Sequence, residues 1–424
     1  MNTKRSITYL FTLVLLLVLA INGASLAQNQ VTITFQQPWS LDSDRGRVVQ
    51  SLIDDFMAAN PDIVVEIRDT GVNNEVFVTE VLSGDAADVV MFGEDGVVLF
   101  APQDAFLDLS DFVADWDESK RNDFYESVWG FGTFEERQYG IPWIAHSMAL
   151  IYNRTMFEEA GLDPDAPPTT WEELYSYAEQ LTSGEQYGYG LVGLQGHDMA
   201  WSWYNFVRQN GGTLATQDGD DWSVALNSPE ALEALEFYIR LRDVAPPETT
   251  TTGGGEANTL FVQGRVAMYV LGPWAVAGIN NEAPDIEVGV APLPYSMVPA
   301  TTAGAGLLTV PRTTQNPEAA WRLIDFLTEV ENQVKLVSTG FAFRIPTRQS
   351  AVQDEWFQEH PEYIPFVEGL SYGYSPIVLD IAREWSVVHN EVVQAELSRA
   401  FIGEVSPAEA LQSMENSGNL LLNR

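Results

Sequence analysis

The feature that most constrains the fold is an alternation of strand and helix patterns in the first hundred residues. Val31, Ile33 and Phe35 alternate with polar residues, which is typical of one buried face of a strand. Strand patterns occupy residues 31–35, 63–67 and 87–92, and helical patterns occupy residues 48–59 and 75–82. Because this β-α-β-α-β order requires right-handed crossovers, it predicts an α/β fold with a parallel sheet.

A ligand site is expected where these strands end. Ligands bind parallel sheets at the carboxyl ends of the strands, which here lead into loops that contain two groups of charges. The first loop holds Trp39 and the pair Asp44 and Arg45, and the third strand is followed by Asp95. Such charges are equally common in solvated loops, so the pattern alone leaves both interpretations open.

A second informative segment covers residues 261–274. It reads as a helix end, a break at Gly264, an apolar strand over 266–271 and a Gly-Pro turn that presents Trp274. An indole ring on a rigid turn can hold a flat apolar surface against a ligand, although aromatic residues mostly fill cores. Upstream, residues 139–153 form an extended segment that we expect to cross between two lobes.

Several later helices carry clear start signals. Thr170, with Glu173 three residues on, forms a capping box, and Ser228-Pro229 and Ser406-Pro407 each place a cap before proline. In contrast, residues 249–255 are rich in Thr and Gly, and we expect a flexible loop there.

The N-terminus has the pattern of an export signal. Lys4 and Arg5 precede an apolar run over residues 10–21, and small residues lead up to Ala27, which suits cleavage after that residue. The alternative, a membrane anchor, would need a longer apolar run. Since the chain has no cysteine, neither a lipid anchor on cysteine nor a disulfide framework is expected. We therefore predict a periplasmic or extracellular location.

Charge and residue types exclude several function classes. With 21 basic and 60 acidic residues, the net charge of −39 argues against binding nucleic acid or anionic lipid. The four histidines are scattered, so neither a metal site nor a cofactor is predicted. Residues 188–193 match a dinucleotide fingerprint in letters only, because a helix and a loop precede them. A pair of carboxylates suited to glycoside cleavage remains possible among so many acids.

Four blocks of the chain resemble the extracellular solute-binding proteins of ABC importers, the group that includes maltose-binding protein. They are residues 139–154, 168–181 with Thr-Trp-Glu-Glu-Leu, 261–274 with Gly-Pro-Trp, and 290–327 with Pro-Leu-Pro and Asn-Pro-Glu-Ala-Ala-Trp. The resemblance implies a two-lobed periplasmic-binding-protein fold, each lobe a mainly parallel sheet flanked by helices, with hinge crossovers and a ligand cleft between the lobes. The boundaries it suggests are a signal peptide at 1–27, lobe 1 at 28–145, lobe 2 at 146–305, a return to lobe 1 at 306–332, and lobe 2 again at 333–424.

The resemblance also assigns aromatic platforms to the cleft. Trp274 matches the family's stacking tryptophan. Trp201 falls where sugar-binding relatives carry another platform, with its neighbour Trp203 as the alternative. Trp385 matches a late helix that presents an aromatic ring to the cleft, although it fits a core position equally well.

Polar candidates follow from the same comparison. Asp95 matches a carboxylate that accepts sugar hydroxyls, and Arg344 is a candidate donor because Pro346 keeps its segment extended. His146 replaces a carboxylate of the maltose binders, and Phe92 lies near a position that is Trp there. These two departures weaken an assignment to maltose and leave a carbohydrate assignment intact.

The function implied is that of a sugar-binding component of an ABC importer, without catalytic activity. It would act as a monomer that captures a carbohydrate by lobe closure and delivers it to a membrane permease. Two alternatives stay open: the same fold binding a non-sugar solute, such as a polyamine or a phosphorylated polyol, and a secreted enzyme that acts on glycosides.

Overall fold

The computed structural model describes residues 30–341 and 344–423. The predicted signal peptide, residues 1–27, lies outside the described residues. The strands are β1 (Val31–Gln36), β2 (Ile63–Arg68), β3 (Val89–Phe92), β4 (Thr133–Phe134), β5 (Arg137–Gln138), β6 (Gly140–Ser147), β7 (Ala149–Asn153), β8 (Tyr187–Gly190), β9 (Ala215–Asp218), β10 (Asp221–Val224), β11 (Val266–Leu271), β12 (Val288–Ala291), β13 (Thr301–Thr309) and β14 (Gly373–Tyr374).

Helices cover both faces of the sheets. They are α1 (Asp44–Ala59), α2 (Asn74–Ser83), α3 (Gly96–Phe100), α4 (Ser110–Ala114), α5 (Glu118–Asn122), α6 (Glu126–Trp129), α7 (Arg154–Glu159), α8 (Trp171–Leu181), α9 (His197–Gln209), α10 (Pro229–Arg240), α11 (Gly254–Val262), α12 (Pro273–Glu282), α13 (Pro317–Leu327), α14 (Val330–Leu336), α15 (Glu355–Glu359), α16 (Ile364–Gly369), α17 (Ala382–Val388), α18 (Gln394–Phe401) and α19 (Pro407–Leu422). Within the described ranges, no helix combines the length and apolar character needed to cross a membrane.

The first sheet confirms the β-α-β-α-β prediction. β1 lies between β2 and β3 and is parallel to both. The alternating residues Ile33 and Phe35 are fully buried, and Val49, Leu52 and Phe56 of α1 pack in the same core. β13 runs antiparallel to β3 and joins the sheet on its other side. The carboxyl ends of β1 and β3 therefore open toward one edge of this sheet.

The second sheet has the order β12-β7-β11-β8 and is mixed. β8 and β11 are parallel, whereas β7 is antiparallel to β11 and β12. The prediction of a mainly parallel sheet therefore holds for β1–β3 and not for this sheet. The reason is that β7 follows β6 after a single residue, Met148, and enters the sheet as the continuation of a crossing strand.

Two paired strands connect the sheets. β6 leads into β7, and β13 follows β12 in the chain. β6 and β13 pair with each other in antiparallel orientation, from Gly140 opposite Thr309 to Ser147 opposite Ala303. Ile345 forms a further bridge to Ala145 beside them. The lobe boundaries proposed from the sequence at 145/146 and 305/306 fall inside these two strands. A paired crossover of this kind is suited to act as a hinge.

The predicted helix starts are confirmed, whereas the predicted loop is wrong. The capping box at Thr170 is present, and proline opens α10 and α19 behind serine caps. Residues 249–255 instead form a 3-10 turn and the start of α11. The carbonyl oxygen of Thr252 accepts hydrogen bonds from the N–H groups of Gly193 and Leu194, and this fixes the segment against the neighbouring chain.

Candidate functional site

The Gly-Pro-Trp turn places Trp274 at the mouth of the gap between the two sheets. Pro273 is the first residue of α12, and the indole of Trp274 folds back over the backbone of Gly272. A Cβ atom at Gly272 would lie 2.2 Å from Cζ3 of Trp274, so only glycine permits this ring position. The His146 ring packs edge-on at 5.7 Å between centroids, and the Arg344 guanidinium lies 5.4 Å from the indole centroid.

Gly272→Ala is therefore expected to displace the Trp274 ring and to weaken ligand binding by about tenfold. Gly278→Ala on the same helix is the matched control, because no described atom lies within 4 Å of a Cβ built there. Tryptophan fluorescence and titration calorimetry on both variants would check this. Equal behaviour of the two variants would contradict the role assigned to Gly272.

A cavity of about 320 Å³ lies beside Trp274 and is called the Trp274 cavity below. It is lined by Met148, Val192, Asp198, Trp201, Ser202, Asn205, Gly254, Gly255, Asn258, Val270, Leu271, Trp274, Ala275 and Thr302. Two indole rings thus share one concave space with a few polar groups, which is the usual composition of a small-molecule site.

Polar atoms in the Trp274 cavity are held in defined orientations. Oδ1 of Asn205 accepts a hydrogen bond of 2.7 Å from the backbone N–H of Thr302. Oδ2 of Asp198 accepts one of 3.2 Å from the N–H of Gly254 and so ties the start of α9 to the start of α11. Among the residues that the structure describes, Oγ1 of Thr302 is buried without a hydrogen-bond partner. A ligand hydroxyl could satisfy that atom.

A second cavity, of about 400 Å³, adjoins the first and is called the His389 cavity below. It is lined by Asp95, Leu99, His197, Trp201, Pro376, Ile377, Ala382, Arg383, Trp385, Ser386, Val387, His389 and Asn390. Trp201 lines both cavities, and the His197 ring packs against it at 4.0 Å between centroids. Asp95 and Leu99 follow β3 of the first sheet, so the cavity spans the gap between the lobes.

Four titratable side chains next to Trp274 form what is called the charged cluster below: Glu94, Asp95, His146 and Arg344. Burial raises the pKa of Glu94 to about 7; the charge of Asp95 adds to the rise, and Arg344 opposes it. Burial, reinforced by the charge of Arg344, lowers the pKa of His146 to about 3, so its imidazole is neutral. The two side chains meet at Gly304, where a Cβ would lie 2.5 Å from His146 Cε1 and 3.0 Å from Glu94 Oε2. The cluster supplies hydrogen-bonding groups that are only partly charged.

The raised pKa of Glu94 predicts a pH dependence of stability. Between its ordinary pKa of 4.5 and about 7, the folded protein keeps a proton that the unfolded chain releases, so the free energy of unfolding falls as pH rises through this window. Glu94→Gln removes this effect. We expect the Tm of the variant minus that of the wild type to increase from about pH 5 to about pH 8.

His146 has the opposite effect on the pH dependence of stability. Its pKa is lowered, so its contribution to the free energy of unfolding rises with pH. It is present in both proteins, so the difference isolates Glu94. Thermal unfolding followed by circular dichroism at several pH values provides the measurement. A difference in Tm that does not change with pH would contradict the assignment.

The structure brings together six of the residues proposed from the sequence. Trp274 and Trp201 line the Trp274 cavity, His146 and Arg344 contact Trp274, and Asp95 and Trp385 line the His389 cavity. Trp385 is 1% exposed and its Nε1 donates to the Pro376 carbonyl. It therefore belongs to the hydrophobic core and also lines the His389 cavity. Arg45 is exposed, and its charge acts on Arg344 at the edge of the site.

Four other candidates, which were expected at the ligand or, for Trp203, as an alternative to Trp201, lie outside both cavities. Phe92, the last residue of β3, packs among Phe77, Phe100 and Phe106, because its side chain points into the core. Trp203 is fully buried, being two residues from Trp201 and so on a different face of α9. Asp44 is exposed and pairs with Arg47. Trp39 packs at 6.1 Å from Trp143 on the first lobe.

Sequence reasoning did not assign four polar residues of the site, which are His197, Asn205, Thr302 and His389. A single histidine, asparagine or threonine in a helix or strand carries no local signal, and these residues meet only after long-range folding. In the described part of the chain, no group of His, Asp and Glu residues could hold a metal ion.

Comparison with known proteins gives a consistent result. A family model described as "Bacterial extracellular solute-binding protein" matches residues 41–334. The sn-glycerol-3-phosphate-binding periplasmic protein of Escherichia coli (strain K12) is 26% identical over 440 residues, which cover 95% of this chain and 95% of that protein.

Solved structures show the same architecture. An ABC transporter solute-binding protein of Thermotoga lettingae, solved with α-D-tagatose, has 27% identity and a TM-score of 0.75 over 93% of this chain and 100% of that one. The sugar-binding protein MalE of Xanthomonas citri has 23% identity and a TM-score of 0.80 over 93% of this chain and 98% of that one. This likeness shows that the two sheets are the two lobes of a periplasmic-binding-protein fold.

Proposed function

Because this chain belongs to the bacterial extracellular solute-binding proteins, we propose that it captures a carbohydrate between its lobes and delivers it to the membrane permease of an ABC importer. The family and the structural neighbours are binding proteins of ABC transporters and not enzymes. A glycoside-cleaving activity therefore has no support from the comparisons.

One observation carries the choice of carbohydrate: two indole rings, Trp274 and Trp201, line the same cavity together with Asn205 and Thr302. Sugar rings present flat C–H faces that pack on aromatic rings, and hydroxyl groups that need fixed hydrogen-bonding partners. Asn205 is held in one orientation, and Thr302 Oγ1 has no partner within the described residues. Platforms and polar atoms are thus arranged as a sugar requires.

Ligand capture is coupled to lobe closure, because the groups that line the site come from both lobes. Asp95 and Glu94 follow β3 of the first sheet, whereas Trp201 lies in the second turn of α9 and Trp274 in the first turn of α12, both in the second lobe. A ligand that contacts both sides favours the closed population, and the paired crossover strands β6 and β13 provide the hinge.

The experiment that tests this function is titration calorimetry of the purified chain. The panel comprises glucose, mannose, galactose, tagatose, maltose and cellobiose, with sn-glycerol 3-phosphate and spermidine as non-sugars. Saturable binding of at least one sugar, with a Kd of about 1 µM, is expected. If only a non-sugar binds, the fold assignment stands and the proposed ligand class is wrong.

A phosphorylated polyol is the second candidate ligand. It is favoured by the glycerol-phosphate-binding relative and by the Arg344 guanidinium beside Trp274. However, the Asp95 carboxylate and the ionised form of Glu94 belong to the same charged cluster as that guanidinium and would repel a phosphate dianion. Neutral sugars are therefore the better match to the charge of this site.

Export and assembly complete the proposal. The family is extracellular, which agrees with cleavage of residues 1–27 and with the absence of cysteine from the chain. The secreted protein would act as a monomer without nucleic-acid partners. Its intact mass and light scattering on a sizing column would test the cleavage site and the monomeric state.

A further inference from the structure

Gln209 is a buried amide that bonds to two different elements. It is the last residue of α9, is 2% exposed and lines neither the Trp274 cavity nor the His389 cavity. Its Nε2 donates to the carbonyl oxygen of Ala300, just before β13, at 3.1 Å. Its Oε1 accepts a hydrogen bond of 2.9 Å from the indole Nε1 of Trp171, the first residue of α8. Both ends of this amide are therefore held by hydrogen bonds.

Asn205 repeats the arrangement one turn earlier on α9. It is 3% exposed, its Oδ1 accepts from the N–H of Thr302 at 2.7 Å, and its Nδ2 donates to the carbonyl oxygen of Trp201 at 3.2 Å. The two amides are four residues apart on the helix, and Ala300 and Thr302 are two residues apart on the strand. Four residues of α-helix rise about 6 Å and two residues of strand about 6.6 Å, so the spacings match. The two amides thus hold α9 in one register along β13.

This register determines where Trp201 lies. Residues 201, 205 and 209 follow one another at intervals of four and share one face of α9. Trp203 and Tyr204 bury the adjoining face, but the hydrophobic effect is non-directional. Directional hydrogen bonds to β13 are better suited to fix the position of the helix along its axis. The Trp201 ring, which lines both cavities, is placed by the same register.

On the basis of the proposed function, we propose that Gln209 is a positioning residue for ligand binding. It lies outside both cavities and acts through α9, which it holds in register on β13 and which carries the Trp201 ring to the ligand. Dispersion contacts fall off steeply with separation, and a gap of about 0.5–1 Å already removes a quarter to a half of each contact. A small shift of α9 therefore weakens binding.

The test begins with Gln209→Leu and titration calorimetry against the sugar, from the panel above, that binds the wild type most tightly. Affinity should fall about three- to tenfold. Gln333→Leu is the matched control. Gln333 is 1% exposed, bonds to the hydroxyl and the N–H of Thr347 at 2.8 Å each, and lines neither cavity. It should lose a comparable amount of stability in urea and keep the wild-type affinity.

A double variant shows whether Gln209 acts through Trp201. Trp201→Ala removes the ring, so adding Gln209→Leu to it should leave the affinity unchanged. If the two losses multiply instead, Gln209 acts by another route and the proposal is wrong.

Trp171→Phe is a milder variant that tests the same contact if Gln209→Leu does not fold. It removes the N–H that donates to Gln209 and keeps an aromatic ring at the place where Trp171 stacks on Phe237, with 4.9 Å between centroids. Binding should weaken about twofold, and this effect too should vanish in the Trp201→Ala background. A twofold loss that persists in that background would contradict the proposal.

Fluorine NMR of the protein labelled with fluorotryptophan provides a readout without ligand. The Trp201 signal is the one that is missing from Trp201→Ala. It should shift in Gln209→Leu and stay in place in Gln333→Leu. An unchanged Trp201 signal or an unchanged affinity would overturn the positioning role and leave sugar binding in place. If no sugar binds at all, the proposed function fails, and the Trp201 signal still decides whether Gln209 holds the ring.

Discussion

Trp274→Ala should weaken sugar binding by roughly 30- to 1000-fold, equivalent to about 2–4 kcal/mol. The indole is partly buried and lines the Trp274 cavity, so removing it takes away the apolar platform without opening the core. It also removes the surface on which His146 and Arg344 pack, and these side chains would lose their fixed positions. Titration calorimetry with the sugar that binds the wild type most tightly gives the measurement.

Trp356→Ala is the matched control for this experiment. Trp356 is also partly buried and packs on His360, with 4.4 Å between ring centroids, but it lines neither cavity. This control should lose some stability and keep its affinity for sugar. If Trp274→Ala bound sugar as well as the control does, Trp274 would be a structural residue and the site assignment would be wrong.

Arg348→Met should lower the free energy of unfolding by about 3–5 kcal/mol. Arg348 Nε donates to Asp123 Oδ2 at 2.9 Å, and the two side chains are only 5% and 17% exposed. The guanidinium also donates to the Thr328 carbonyl. Without it, the carboxylate of Asp123 would remain buried without a cation, although Ser350 still donates to it. Denaturation in urea, followed by tryptophan fluorescence, would measure the loss.

Two further variants show whether the buried charge is the cause. Arg322→Met removes an ion pair with Asp62 in which both side chains are 43% exposed, so a much smaller loss is expected. Arg348→Met combined with Asp123→Asn removes both charges and should recover part of the stability. A double variant as unstable as Arg348→Met alone would mean that packing, and not charge, explains the effect.

The acidic surface and the site have different electrostatic characters. The chain as a whole carries a net charge of −39, yet the charged cluster beside Trp274 contains Arg344 and a neutral His146 next to its carboxylates. Burial further favours the protonated form of Glu94. A neutral, hydroxyl-rich ligand therefore meets little electrostatic cost here, which agrees with a sugar and disfavours a dianion.

Elements with local signals can be predicted from the residues alone. The alternation at Val31, Ile33 and Phe35, the caps at Thr170 and Ser406, and the Gly272-Pro273-Trp274 turn all depend on residues within a few positions of one another. Such patterns fix strands, helix starts and turns because backbone hydrogen bonding and side-chain periodicity act over short distances. The resemblance to a family then implied how these elements are arranged.

Long-range packing determines which side chains meet in the site. Trp201 and Trp203 are two residues apart on one helix, yet Trp201 lines the Trp274 cavity and Trp203 is fully buried. The difference depends on which face of α9 packs against the core. His389 reaches Tyr204 across 185 residues of chain, and Glu94 meets His146 only where β3 and β6 flank β13. Local sequence patterns do not predict such contacts, because the contacts arise from the packing of whole elements and from the burial that this packing produces.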